Sequence, residues 1–114
     1  MWSELEKVFK STGLDYFRQG SISEGEKWEK SFFTFWNMET PEDGFYDNEA
    51  HKVVWYWNVY YYTSDPATLY SALEKFISLA KEAGFIVNGR GTDIPSGRSD
   101  YVGRMVSVIW VENL

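Results

Sequence analysis

The spacing of apolar residues predicts a short amphipathic helix near the start of the chain. Leu5, Val8 and Phe9 recur at helical spacing, and residues 3–6 (SELE) have the form of a capping box. Gly13 follows, and glycine readily adopts the left-handed conformation that ends a helix. We therefore expect the first helix at residues 4–12.

A second, longer helix is predicted near the middle of the sequence. Asp65 suits its N-cap, Pro66 suits its first position and Gly84 suits its end. An apolar stripe with helical periodicity lies between them and is expected to be buried. It consists of Leu69, Tyr70, Leu73, Phe76, Ile77 and Ala80.

Runs rich in aromatic and β-branched residues predict five strands. They cover residues 14–18, 31–37, 52–63, 85–87 and 101–112. The resulting order is α-β-β-β-α-β-β. This order favours an α+β fold in which two helices pack on one face of a mainly antiparallel sheet. A chain of 114 residues fits one domain, spanning residues 1–114.

The strand predicted at 52–63 has large side chains on both faces. One face carries Val53, Trp55, Trp57, Val59 and Tyr61. The other face carries Val54, Tyr56, Asn58, Tyr60 and Tyr62. A strand with one solvated face would alternate apolar and polar residues. We therefore expect one face to meet the helices and the other to lie in a contact between subunits.

Two connecting segments carry turn signals. Residues 38–50 are acidic, contain no Lys or Arg, and are typical of a projecting loop. Phe45 and Tyr46 lie in the middle of this loop, where aromatic rings would anchor a partner. Docking is favoured over lining a channel, and a solvated loop is the alternative. Residues 89–97 are expected to form a turn between strands.

The aromatic content exceeds what the interior of a small domain needs. Six Trp, eight Tyr and eight Phe predict rings at the surface, where they usually mark an interface. The net charge of −6 opposes non-specific binding to nucleic acid and anionic lipid. Because no secretory signal and no apolar run of about 20 residues is visible, we expect a cytoplasmic protein without membrane contact.

No catalytic, cofactor-binding or metal-binding motif is recognisable. Residues 89–91 (GRG) lack the third glycine and the following helix of a dinucleotide fingerprint. The chain has no Cys, and Glu42, Asp43 and Asp47 do not match a calcium loop. His51 has no recognisable catalytic partner. We therefore predict a non-enzymatic protein without cofactor or metal.

Two arginines are candidate contact residues. Arg98 and Arg104 lie in a mixed-charge group with Arg90, Asp93 and Asp100. We expect Arg98 or Arg104 to pair with an acidic group, in the same chain or on a neighbour, and to fix the register between subunits.

Aromatic rings of the strand at 52–63 are the other candidates. Trp55, Trp57 and Tyr61 are expected in a subunit contact. A carbohydrate- or peptide-binding platform on an aromatic sheet face is the alternative.

Several stretches resemble small proteins encoded among the head–tail joining genes of phages and prophages of Gram-positive bacteria. They are residues 31–37 (SFFTFWN), 40–47 (TPEDGFYD), 84–87 (GFIV), 93–96 (DIPS) and 101–104 (YVGR). The order of helices and strands also resembles that of the tail terminator proteins of long-tailed bacteriophages.

The resemblance implies a structural protein of the virion, placed at the head–tail junction after assembly in the bacterial cytoplasm. It implies a homo-hexameric ring that ends the tail tube and joins it to the head connector. DNA would pass through the ring without sequence-specific binding. A connector or stopper protein is the alternative within this class. Contacts with subunits or partners are expected at Phe45, Tyr46, Trp55, Trp57, Tyr61, Arg98 and Arg104.

Overall fold

The computed structural model describes residues 2–18, 28–43 and 52–113. Within these ranges, two helices lie on one face of a seven-stranded sheet, which confirms the predicted α+β class. The helices are α1 (Trp2–Thr12) and α2 (Leu69–Ala83). The strands are β1 (Asp15–Arg18), β2 (Ser31–Glu39), β3 (Glu42–Asp43), β4 (Lys52–Thr63), β5 (Ile86–Val87), β6 (Thr92–Ile94) and β7 (Val102–Asn113).

The sheet is built around the pairing of β4 with β7. The strand order is β1-β2-β4-β7-β5, with β3 beside β4 and β6 beside β7. All 12 residues of β4 pair with residues of β7 in an antiparallel register. β1 pairs with β2 in parallel, and the other pairings are antiparallel. The predicted mainly antiparallel sheet is therefore confirmed.

The predicted element order is confirmed, and two short strands are added to it. β3 lies in the segment predicted as a loop, and β6 lies in the segment predicted as a turn. Strands of two and three residues are too short to show an alternating pattern in the sequence. Met38 and Glu39 also belong to β2, so this strand runs two residues further than predicted.

Helix α1 begins at Trp2, earlier than the predicted residue 4. The Trp2 ring stacks on Phe35 with 4.6 Å between ring centroids, and it lies 6.1 Å from the ring of Trp57. This packing holds the first described residue against the core and extends the helix. Ser3 therefore lies inside the first turn, and its predicted role as N-cap is wrong.

The start and end of α2 follow the predicted chemistry. The Asp65 carboxylate accepts a hydrogen bond from the backbone N–H of Ala67 at 3.1 Å, and Pro66 begins a short 3-10 turn that leads into the helix. Gly84 ends α2 with φ of 107°. The predicted buried stripe is correct except at Tyr70, which is 54% exposed because it lies on the flank of the helix.

The core lies between the two helices and one face of the sheet, which we name the inner face. Phe9 of α1 stacks on Phe76 of α2, with centroids 5.2 Å apart. Phe76 lies 5.3 Å from Phe33 of β2, and Phe33 lies 5.0 Å from Tyr61 of β4. Interlocked rings therefore join both helices to the centre of the sheet.

Truncation of Phe76 should destabilise the fold severely. Phe76 has no exposed surface, so Phe76→Ala would leave a cavity beside the rings of Phe9 and Phe33. We expect the free energy of unfolding to fall by about 3–5 kcal/mol in urea denaturation. Lys75→Ala, at the neighbouring exposed position, should change it by less than about 0.5 kcal/mol. Similar losses in the two variants would contradict the described packing of α2.

Candidate interaction surface

The face of the sheet opposite the helices carries an extended set of apolar side chains, which we name the outer face. Register and strand alternation place these residues on it. It includes Trp36, Met38, Val54, Tyr56, Asn58, Tyr60, Ile86, Met105, Ser107, Ile109 and Val111, and, at the end nearest Trp28, the less accessible Phe32, Thr34 and Tyr62. Both helices pack on the inner face, so neither of them covers this surface.

Large apolar side chains are accessible on the outer face. Trp36 is 40% exposed, Met38 46%, Ile86 51% and Val111 40%. These four residues come from three strands, so the exposure extends across the sheet. Exposed apolar surface of this extent is typical of a site that contacts another molecule.

The charged residues of the outer face lie towards its ends. By register, Glu39 lies opposite Tyr56, Lys52 opposite Asn113 and Asp15 opposite Phe32. The middle of the face on β4 and β7, at positions 54–60 and 105–111, carries no charged residue. The exposed side of α2 differs, with Glu74, Lys75, Lys81 and Glu82 in contact with solvent. The two sides of the molecule therefore differ: the exposed side of α2 carries several charged residues, whereas the middle of the outer face is uncharged and largely apolar.

Polar side chains within the outer face form hydrogen bonds with each other. The Ser107 hydroxyl donates to the Asn58 side-chain oxygen at 2.7 Å. The Trp36 indole N–H donates to the Tyr60 hydroxyl at 3.1 Å. Because these groups already have partners, covering them with another surface would cost less than burying unpaired polar groups.

One end of the outer face is closed by a cluster that we name the aromatic latch: Trp28, Arg98 and Tyr101. The Arg98 guanidinium carbon lies 4.8 Å from the Trp28 ring centroid and 5.1 Å from that of Tyr101. The Tyr101 hydroxyl donates to the backbone carbonyls of Trp28 and Glu29, at 3.2 and 2.8 Å. The latch therefore holds the residues before β2 against those before β7.

Arg98 also pairs with Asp100 of its own chain. Two guanidinium nitrogens donate to the two carboxylate oxygens, each at 3.2 Å. The predicted pairing of Arg98 with an acidic group is confirmed, and the partner is within the same chain. The pair is exposed, so its contribution to stability is small.

Tyr62 lies beside the latch, and its surroundings favour the neutral phenol. Its ring lies 5.8 Å from Trp28 and stacks on Tyr60 at 6.4 Å. Burial raises the pKa of Tyr62 above its usual 10.0, and Tyr60 raises it further. The folded chain therefore holds this proton more tightly than the unfolded chain does.

Arg104 joins β7 to the segment before β6, in an arrangement that we name the arginine clamp. Its guanidinium donates to Asp93 and to the carbonyls of Gly91 and Arg90, the latter two at 3.0 and 3.3 Å. The guanidinium carbon lies 4.8 Å from the Tyr70 ring centroid. The Tyr70 hydroxyl donates to the other Asp93 carboxylate oxygen at 3.1 Å.

The predicted pairing of Arg104 with an acidic group is confirmed, and the partner is Asp93 of the same chain. Its role in subunit register stays a prediction. The Arg104 side chain is only 16% exposed, and its donors are occupied by groups of the same chain. Gly91 adds to the tight geometry, because its φ is 94° and a Cβ there would lie 2.5 Å from the Met105 carbonyl oxygen. Arg104 therefore stabilises the connection between β5 and β6 from within the chain.

The rings expected in a subunit contact lie on the inner face instead. Trp57 is 2% exposed and Tyr61 is 1% exposed, so neither is available to a partner. Trp55 is half-buried, stacks on Trp57 at 6.0 Å, and donates its indole N–H to Glu112 at 2.8 Å. All three lie on the same side of β4 as Val59, which faces the helices. The contact role of Trp57 and Tyr61 is corrected, and the three-ring platform for carbohydrate is absent.

Other predicted residues lie outside the described part of the chain. Phe45 and Tyr46, expected as loop anchors, belong to this group, as do Asp47 and His51.

Most residues of the outer face were not singled out from the sequence. Ile86, Met105, Ile109 and Val111 belong to strands whose inward and outward positions depend on their register with β4. The alternative face of β4, with Tyr56 and Tyr60, was the one signal that pointed to this surface. Its extension onto β7 follows only when the pairing is known.

No protein-family model matches the chain, and no curated protein matches it. Among the residues that the structure describes, no helix is long and apolar enough to cross a membrane. Over residues 2–18, 28–43 and 52–113, no group of three or more His, Cys, Asp or Glu is placed to hold a metal ion.

Loss of the arginine clamp should lower stability measurably. Arg104→Gln removes a charged donor that bonds two carbonyls and a carboxylate, so we expect the free energy of unfolding to fall by about 1–3 kcal/mol. Arg90→Gln is the matched control, because Arg90 is largely exposed and forms only a 3.7 Å pair with Glu74. Urea denaturation of both variants measures the difference, and equal losses would contradict the clamp.

The raised pKa of Tyr62 predicts a loss of stability at alkaline pH. The unfolded chain releases the Tyr62 proton near pH 10.0, whereas the folded chain retains it. The contribution of Tyr62 to the free energy of unfolding is therefore fully present below about pH 10, and it is lost as the pH rises towards the pKa of the folded chain. Urea denaturation between about pH 9 and 11 should show a shallower decline for Tyr62→Phe than for the natural chain. An equally steep decline in the variant would refute the assignment.

Proposed function

We propose that this chain is a structural subunit of phage morphogenesis. It forms a homo-hexameric ring that ends the tail tube of a long-tailed phage or prophage and joins the tube to the head connector. The outer face carries this proposal, because a wide apolar surface that the chain's own helices leave uncovered needs other protein chains to cover it. The resemblance of residues 31–37, 40–47 and 101–104 to head–tail joining proteins supports the same class.

The energetics of the outer face suit protein–protein assembly. A fully buried large apolar side chain contributes about 1.5–3 kcal/mol relative to an exposed one. Four large side chains are still 40–51% exposed, so their burial in a contact would gain a substantial part of this free energy. They are Trp36, Met38, Ile86 and Val111. Several such residues together offset the roughly 4–15 kcal/mol that association costs in lost freedom.

A ring also needs a second, different surface on each subunit. Rings close through heterologous contacts, in which one patch of a subunit meets another patch of the next. The end of β7 offers such a patch: in the described part of the chain, residues 110–113 pair with β4 and extend beyond the pairing with β5. An unpaired strand edge can accept a strand from another chain.

The charge of the subunit is compatible with DNA passage. The net charge of −6 repels the phosphate backbone, so DNA would pass through a ring of these subunits without adhering. The role of the ring is therefore mechanical and positional.

Complementation of a phage that lacks the gene tests the proposal. The double variant Ile86→Lys and Val111→Lys places two charges on the outer face at positions that are exposed in the free chain, so the subunit should fold. We expect normal heads, tails of irregular and excessive length, and loss of infectivity, as seen by electron microscopy and plaque counts. Ser78→Lys adds a charge to the exposed side of α2 and should complement fully.

The same experiment separates the alternatives within the class. A terminator defect leaves tails that overgrow, whereas a connector or stopper defect leaves tails of normal length that do not attach to heads. Normal particles and normal infectivity from the double variant would refute a morphogenetic role for the outer face.

A further inference from the structure

We infer that the free chain, before it meets any assembly partner, pairs with a second copy of itself through the two outer faces. The inference goes beyond the proposed function and does not depend on it. In the isolated subunit, the outer face is covered by the outer face of a second copy.

The first argument is the match between surfaces. The helical side of a second copy presents Lys7 and Lys10 on α1, and Glu74, Lys75 and Lys81 on α2. Covering these charges with an apolar surface would strip them of water without supplying partners, which is costly. Among the described surfaces of the chain, the outer face is the extended apolar one, so the best match for it is the outer face of another copy.

The second argument is electrostatic. Two copies each carry a net charge of −6 and repel each other at most orientations. The middle of the outer face on β4 and β7 carries no charged residue, and the charged residues towards its ends have both signs, with Asp15, Glu39 and Lys52. Contact through the middle of this face therefore brings two acidic chains together with little repulsion.

The third argument is area. The three long strands β2, β4 and β7, spaced about 4.8 Å apart, are about 14 Å wide, and strands of 9 to 12 residues are about 30–40 Å long. The outer face on these strands therefore covers roughly 500 Å². Two such faces in contact bury roughly 1,000 Å² in total, which reaches the lower limit for a specific protein–protein contact.

The geometry of such a pair follows from the symmetry and the twist of the sheet. The same patch on both copies forms an isologous contact, which closes at two subunits. Two sheets of the same twist pack face to face at about −30°, with their side chains interdigitated. Asn58 and Ser107 lie at paired positions of β4 and β7 and bond to each other. Asn58 is already buried in the single chain, and the contact covers Ser107 without breaking this hydrogen bond.

Measurement of the mass of the purified full chain tests the inference. Light scattering coupled to gel filtration, together with native mass spectrometry, should find a particle of two 13.3 kDa chains at micromolar concentration. Ser107→Lys puts a charge into the middle of the face, and Ser78→Lys makes the same change on α2 as a matched control. Both serines are exposed in the single chain, so both variants should fold.

We expect Ser107→Lys to raise the dissociation constant of the dimer on the order of 100-fold, because each substitution enters a two-fold contact twice. Val111→Lys, which leaves the Asn58 bond intact, should also weaken the dimer, while Ser78→Lys should not. Circular dichroism and urea denaturation check that each variant is folded. Loss of the dimer in the two outer-face variants alone would support the inference.

Three results would overturn it. They are a monomer at about 100 μM, a dimer that both outer-face variants leave intact, and a free particle larger than two chains. A free hexamer would overturn this inference while supporting the proposed ring. If the natural chain is a dimer that the outer-face variants disrupt, and those variants still complement the phage, the inference is supported and the proposed function is refuted.

Discussion

The pairing of β4 with β7 is the constraint on which the rest of the molecule depends. All 12 residues of β4 take part, so the register of the sheet is specified along its whole length. A slip of one residue would turn Trp57, Val59 and Tyr61 away from the helices and bring Asn58 into the core. The helices then have one possible position, because only one face offers side chains that match their apolar stripes.

This arrangement leaves one side of the sheet without cover. The inner face is filled by interlocked rings, such as Phe33 between Phe76 and Tyr61, and both helices are used there. Neither helix lies on the outer face, although Trp36 and Ile86 on it are as apolar as a core requires. Within residues 2–18, 28–43 and 52–113, the aromatic latch closes one end of this face. This difference between the two faces of the sheet is the physical basis of the proposed role in assembly.

The sequence was sufficient for the elements with strong local patterns. Helix α2 could be placed from Asp65, Pro66 and Gly84, and the alternation along β4 identified its two faces correctly. It was not sufficient to decide which face was buried, because both carry large rings; Trp57 and Tyr61 were therefore assigned to a contact although they belong to the core. The hydrogen-bond partners of Arg104 could not be predicted from the sequence either. These groups, at residues 90, 91 and 93, come close to Arg104 only when β6 pairs with β7.

Hydroxyl-radical footprinting tests the central claim most directly, because it reads the accessibility of single side chains in the free and assembled states. Trp36 and Met38 report on the outer face, and Tyr70, 54% exposed on α2, reports on the opposite side. The account predicts that assembly strongly protects Trp36 and Met38 from oxidation and leaves Tyr70 as reactive as in the single chain. Unchanged oxidation of Trp36 and Met38 in the assembled particle would contradict it.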